Sequence, residues 1–140
     1  MRPDLSNSRL GRVGAVIVAV GLVIFVIGLD PGLIGLDLTP GIGLIQIGVF
    51  LFGLALMTLG AYIYLYATRH RGQPPRLRHD IGVRLMATGL VAAFATGFAD
   101  VLGIGSQFGA ERPEFGWLQA TGVGLSILII LVGIFLYSFN

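Results

Sequence analysis

One apolar segment of this sequence carries polar or small side chains at every fourth position. They are Asp80, Arg84, Thr88, Ala92, Thr96 and Asp100. On a helix this spacing places the side chains on one slowly winding row, here called the polar row. Two threonine hydroxyls between two charged ends could line a path for an ion or a small solute through a membrane.

The same spacing also fits close packing between helices. Gly89, Ala93 and Gly97 form a neighbouring row of small residues, and so small a face lets another helix approach closely. Arg84 can then extend to the lipid headgroups, while Asp100 lies at the opposite interface. No ionisable residue lies at mid-depth, where a charge is costly and usually functional, so the sequence favours packing over a path. We expect the polar row to face the bundle or an oligomer contact.

Two amide side chains, Gln46 and Gln119, lie about one turn inside the ends of two other apolar segments. An amide at this depth could bind a ligand or join two helices. Hydrogen bonds between membrane helices average only about 0.6 kcal/mol, so these glutamines would orient helices more than stabilise them. We expect helix orientation, with ligand binding as the alternative.

His70 and His79 lie among arginines in a polar segment, residues 68–79, that we predict to be a solvated loop. Haem ligation within the bilayer would need a histidine on a membrane span, and the apolar segments contain none. Two histidines with only Asp80 nearby would make a weak metal site. We therefore predict no metal ligands and no bound cofactor.

Catalytic machinery is also missing from the sequence. There is no cysteine, which excludes disulfides and thiol catalysis, and no Ser/His/Asp arrangement or pair of embedded carboxylates. The glycine-rich stretches lack the Lys-Ser/Thr that follows a phosphate-binding loop. We predict no catalytic residues and no enzymatic activity.

Four apolar segments alternate with polar ones along the 140 residues. With 55% hydrophobic and 11% charged residues, the chain has too little polar surface for a water-soluble domain of this size. We predict an all-α membrane protein: one four-helix transmembrane domain over residues 1–140. The spans are expected at about 11–29, 41–66, 81–102 and 117–139.

The basic residues indicate how the chain is oriented. All nine are arginines, and eight of them lie in the N-terminal stretch or between residues 69 and 84. The positive-inside rule then places both termini in the cytoplasm. Arginine without lysine suggests a GC-rich bacterial genome, so we expect the bacterial plasma (inner) membrane. The expected partners are the lipid bilayer with its anionic headgroups and other membrane subunits, but not nucleic acid.

The two halves of the sequence show a partial repeat. A shift of 73 positions superposes Gly43, Gln46, Gly60 and Tyr64 on Gly116, Gln119, Gly133 and Tyr137. Matches between the first and third segments need other offsets, and glycine-rich apolar helices also match by chance. Two tandem helical hairpins are therefore one of two open interpretations.

These features favour a non-catalytic accessory or structural subunit of a larger membrane complex. Small-residue helix faces suit packing, and the apolar linker at residues 33–38 suits docking on a partner. The alternative is a small homo-oligomeric transporter or channel, in which Arg84, Thr88, Thr96 and Asp100 line a path.

Overall fold

The computed structural model describes residues 5–35, 43–70, 72–99, 101–103 and 116–139, and helices are the regular structure within these ranges. The long helices are α1 (Leu5–Leu29), α2 (Leu44–Leu65), α3 (Leu77–Gly97) and α4 (Trp117–Ser138). A 3-10 turn, Pro31–Ile34, follows α1, and a π-helical turn, Tyr66–His70, prolongs α2. Each long helix is long and apolar enough to span a membrane. Within the described residues this confirms the prediction of helices, four of them long and apolar enough to span a membrane.

The connection between the second and third helices is shorter than predicted. The π-helical turn continues α2 to His70, and α3 already begins at Leu77, with Arg76 as its N-cap. Asp80, predicted to lie before the helix, is in its first turn, where a carboxylate complements the helix dipole. At its other end α3 finishes at Gly97 instead of residue 102. Both ends of the polar segment 68–79 are therefore helical, whereas residues 72–76 connect the two helices.

Glycine allows α1 and α2 to pack with their backbones in contact. A Cβ added to Gly21 would lie 2.7 Å from the backbone nitrogen of Met57 and 2.9 Å from the carbonyl oxygen of Gly53. These distances are far below an ordinary van der Waals contact, so no larger residue fits without moving the helices apart. The glycines of α1 that make such contacts, Gly14, Gly21 and Gly28, recur at every seventh position. A seven-residue repeat keeps one face of a helix against its neighbour.

The pair formed by α3 and α4 is built in the same way. A Cβ on Gly82 would lie 2.8 Å from the carbonyl oxygen of Gly133, and one on Gly133 would lie 2.8 Å from the backbone nitrogen of Met86. Further along, a Cβ on Gly89 would lie 2.9 Å from the carbonyl oxygen of Ser126. Here too the small residues place one backbone directly against the other.

Contacts in the two helix pairs correspond residue by residue. Contact positions on α3 follow those on α1 by 68, and contact positions on α4 follow those on α2 by 73. The matching sets are Gly14 with Gly60 and Tyr64, and Gly82 with Gly133 and Tyr137. Gly21 against Gly53 matches Gly89 against Ser126 in the same manner. We refer to this relation as the pair correspondence.

The two pairs meet where α2 packs against α3 and α4. Phe50 and Leu51 of α2 are fully buried in a core that also contains Ala93 of α3 and Ile130 of α4. Leu51 lies against Gly97, because a Cβ added to Gly97 would be 2.8 Å from a methyl group of Leu51. This apolar core holds the pairs together near the middle and toward the end of α3.

One end of the bundle collects the described arginines that flank the helices. A Cβ added to Gly11 of α1 would lie 3.4 Å from the methyl group of Thr68. His70 and His79 are hydrogen-bonded to carbonyl oxygens at the end of α4. The start of α1, the end of α2, the start of α3 and the end of α4 are therefore together. Exposed arginines at this arginine-rich end are Arg9, Arg12, Arg69, Arg76 and Arg78.

Candidate functional site

The first half of the polar row faces away from the other helices of the chain. Asp80, Arg84 and Thr88 are all exposed, and we call these three residues the outward row. The face of α3 turned toward α4 carries Gly82 and Gly89 instead, both buried. Only one face of α3 can lie against α4, and the glycine face permits the closer backbone contact. Of the two positions expected for the row, the bundle and an oligomer contact, this part of it does not take the first.

The second half of the polar row turns toward α4. Thr96 is half-buried and contacts α4 at Gly122, where an added Cβ would lie 2.7 Å from the threonine methyl group. Its hydroxyl donates a hydrogen bond to the carbonyl oxygen of Ala92 at 2.8 Å. Thr88 and Thr96 consequently lie on different faces of α3. Asp100, the predicted end of the row, lies outside the described residues.

The pair correspondence supplies an internal comparison for the outward row. Positions 12, 16 and 20 of α1 correspond to positions 80, 84 and 88 of α3. They hold Arg12, Val16 and Val20, and these side chains are exposed as well. Where α1 presents two valines outward, α3 presents an arginine and a threonine. The α1–α2 pair thus packs with apolar residues at the two positions that correspond to Arg84 and Thr88.

The two glutamines are hydrogen-bonded at helix ends. The amide nitrogen of Gln46 donates to the carbonyl oxygen of Leu29 at 3.1 Å, which ties α2 to the last turn of α1. Gln119 is buried, and its amide oxygen accepts a hydrogen bond from the backbone N–H of Gly116 at 2.9 Å. This second bond caps the start of α4, as in the reciprocal half of a capping box. Gln46 thus links two helices, whereas Gln119 caps its own.

A buried cluster at the arginine-rich end was missed in the sequence. His70 and His79 were predicted to be solvated, but each is only 6% exposed. Their ring centroids are 4.0 Å apart, and the His70 ring packs at 4.6 Å against Tyr137. The prediction failed because His70 lies on the π-helical turn that prolongs α2. The signal was the spacing of Tyr62, Tyr66 and His70, which recur at every fourth position as on a continuing helix.

These side chains bind the last carbonyl groups of α4. Nε2 of His70 is hydrogen-bonded to the carbonyl oxygen of Tyr137, and Nε2 of His79 to that of Phe139 at 3.2 Å. Arg69 donates from Nη1 to the carbonyl oxygen of Ser138. A carbonyl oxygen can only accept, so each imidazole carries a proton on Nε2. We call this arrangement the histidine clasp; it satisfies carbonyls that a helix end leaves unpaired.

The clasp geometry is better suited to holding helices than to binding a metal. A tetrahedral ion with metal–nitrogen distances of about 2.0–2.1 Å would hold two imidazole centroids roughly 5 Å apart. The rings of His70 and His79 are closer than this, at 4.0 Å. Among the described residues, no group of three or more His, Asp or Glu side chains could hold a metal ion. The clasp joins the end of α2 to α3 and α4.

Comparisons with protein-family models, with curated proteins and with solved structures found no match to this chain.

Proposed function

We propose that this protein is a non-catalytic accessory or structural subunit of a larger membrane protein complex, and that the outward row of α3 is its protein-binding surface. The observation that carries the proposal is the difference between two matched helix faces. Arg84 and Thr88 face outward on α3, whereas the corresponding positions on α1 hold Val16 and Val20. The valines suit lipid, and the polar residues suit a protein contact.

The depth of the outward row supports this proposal. Arg84 follows the first residue of α3 by seven positions, about 10 Å along the helix axis, and Thr88 lies about 6 Å deeper. An arginine side chain can reach the headgroups from such a depth, but a threonine side chain cannot. A protein partner with complementary polar groups would satisfy both side chains. The third span is also the least apolar of the four.

The interior of the molecule suits a structural role. Within each helix pair the two backbones are in contact through glycine. Large side chains of α2 fill the space between the two pairs. The 3-10 turn presents Leu33 and Ile34 as exposed apolar side chains, consistent with docking through the linker. The rest of that predicted docking segment, residues 36–38, lies outside the described residues.

The proposed topology is two tandem helical hairpins with both termini in the cytoplasm. The pair correspondence supports the hairpins, because a duplicated unit would repeat its internal contacts at constant offsets. The arginine-rich end supports the orientation, since arginine beside membrane spans is retained on the cytoplasmic side. The proposed location is the bacterial plasma membrane.

Mild detergent extraction from native membranes tests the proposal. We expect a stoichiometric particle that contains other chains. The variant Arg84→Val, Thr88→Val gives α3 the outward residues of α1, so the fold should persist while the particle dissociates. The matched control is Val16→Leu, Val20→Leu on α1, which should leave the particle intact. A double variant of α3 whose particle keeps the mass and composition of the wild-type particle would refute the assignment of the surface.

The alternative function is transport or conduction by a homo-oligomer. Because the outward row faces away from the other helices, it would line a path only between copies of the chain. A particle that contains this chain alone would favour this alternative. Flux through liposomes that is reduced by Arg84→Ala and by Asp100→Asn would support it, whereas unchanged flux in both variants would remove it.

A further inference from the structure

We infer that the outward row binds a second copy of this chain, so that the complex contains a two-fold dimer joined through α3. The inference rests on the proposed function, because it names the partner of the same surface. Its basis is that the row carries complementary charges. Asp80 and Arg84 are exposed one helical turn apart, and Thr88, which can both donate and accept a hydrogen bond, follows one turn later.

Membrane insertion restricts how two copies can meet. All copies insert with the same orientation, so the two-fold axis of a dimer must run along the membrane normal. The two α3 helices are then parallel, and each residue lies at the same depth as its counterpart. Asp80 and Arg84 are separated by about 6 Å along the axis, a distance that an arginine side chain spans. Each Asp80 can therefore pair with the Arg84 of the other copy, and the pairing occurs twice.

The remainder of the outward face suits the close approach of a parallel helix. Ala87 and Ala95 are exposed beside the row, and Val91, between them, is 69% exposed. With these side chains Thr88 would lie near the crossing point, where the two hydroxyls can bond to each other. The corresponding face of α1 has no acid at position 12, 16 or 20, so it offers no such pairing. Charge complementarity therefore favours α3 over α1 as the contact helix.

Cysteine cross-linking tests the inference directly. The chain has no cysteine, so a single introduced thiol is unique. Thr88→Cys in native membranes should form a disulfide-linked dimer of twice the 14.8 kDa chain mass. Val20→Cys, at the corresponding position on α1, is the matched control and should stay monomeric under the same oxidation. Equal dimer yields from both positions, or none from either, would refute the inference.

A charge exchange provides the second measurement. Asp80→Arg and Arg84→Asp, each alone, place like charges opposite each other and should weaken dimerisation roughly tenfold or more. The combined variant restores both pairs and should recover the dimer. Failure of this recovery in a protein with unchanged helical content would also count against the inference.

The cross-linking products separate the inference from the proposed function. A Thr88→Cys adduct with a different chain would overturn the second copy as partner while supporting the accessory role. A dimer in a particle without other chains would support the second copy and overturn the accessory role.

Discussion

Replacing Gly53 with alanine should separate α1 from α2. The new Cβ would lie 2.7 Å from both the Cα of Phe25 and the carbonyl oxygen of Gly21. An ordinary carbon contact is about 3.5–4.0 Å, so the α1 backbone must move by roughly 1 Å. A backbone cannot turn aside as a flexible side chain can. Overpacking of this kind costs about 1–3 kcal/mol, while the better helix propensity of alanine returns about 0.5–1 kcal/mol.

The expected result is a net loss of about 1–2 kcal/mol in the free energy of unfolding. It can be measured by unfolding the protein with SDS in mixed micelles, followed by circular dichroism. Gly124→Ala is the matched control, because an added Cβ there meets no atom within 4 Å. The control should be neutral or slightly stabilising. If both variants shift the free energy by the same amount, glycine is not holding the helix pair together.

Three further predictions address the other contacts. Gly60 and Gly133 occupy corresponding positions, so Gly60→Ala and Gly133→Ala should lower the free energy of unfolding by amounts that agree within about 1 kcal/mol. A larger difference would contradict the pair correspondence. His70→Ala removes a buried ring and leaves an α4 carbonyl unpaired, so it should destabilise by about 2–4 kcal/mol, whereas the exposed Arg76→Ala should change stability by less than about 0.5 kcal/mol. Gln46→Leu should cost only about 0.6 kcal/mol but speed amide exchange at the end of α1; unchanged exchange would refute the helix link.

The length of the apolar segments was enough to predict the four long helices. A bilayer requires about 20 apolar residues per span, and this constraint is strong enough to be seen in one sequence. The ends were predicted less well where polar residues continue a helix beyond the apolar stretch. For example, α3 begins at Leu77, so the polar residues Arg78 to Asp80 are helical although they precede the predicted start of the span at Ile81.

The direction of the polar row could not be predicted from spacing alone. Two small-residue rows run side by side on α3, and spacing does not say which of them meets a neighbour. The row with Gly82 and Gly89 faces α4 because its partners, Gly133 and Ser126, are also small. The histidine clasp was missed for a related reason, since it depends on a π-helical turn and on the last turn of α4, 67 residues away from His70.

The seven-residue spacing of glycine limits how the length of this chain can change. Gly14, Gly21 and Gly28 keep one face toward α2 only while the count between them is preserved. One inserted residue would rotate everything beyond it by about 100° and bring Val20 or Ile27 against the α2 backbone. An insertion of seven residues would restore the face and lengthen the span by about 10 Å. A change of length inside α1 therefore keeps the glycine face toward α2 only when it comprises whole heptads.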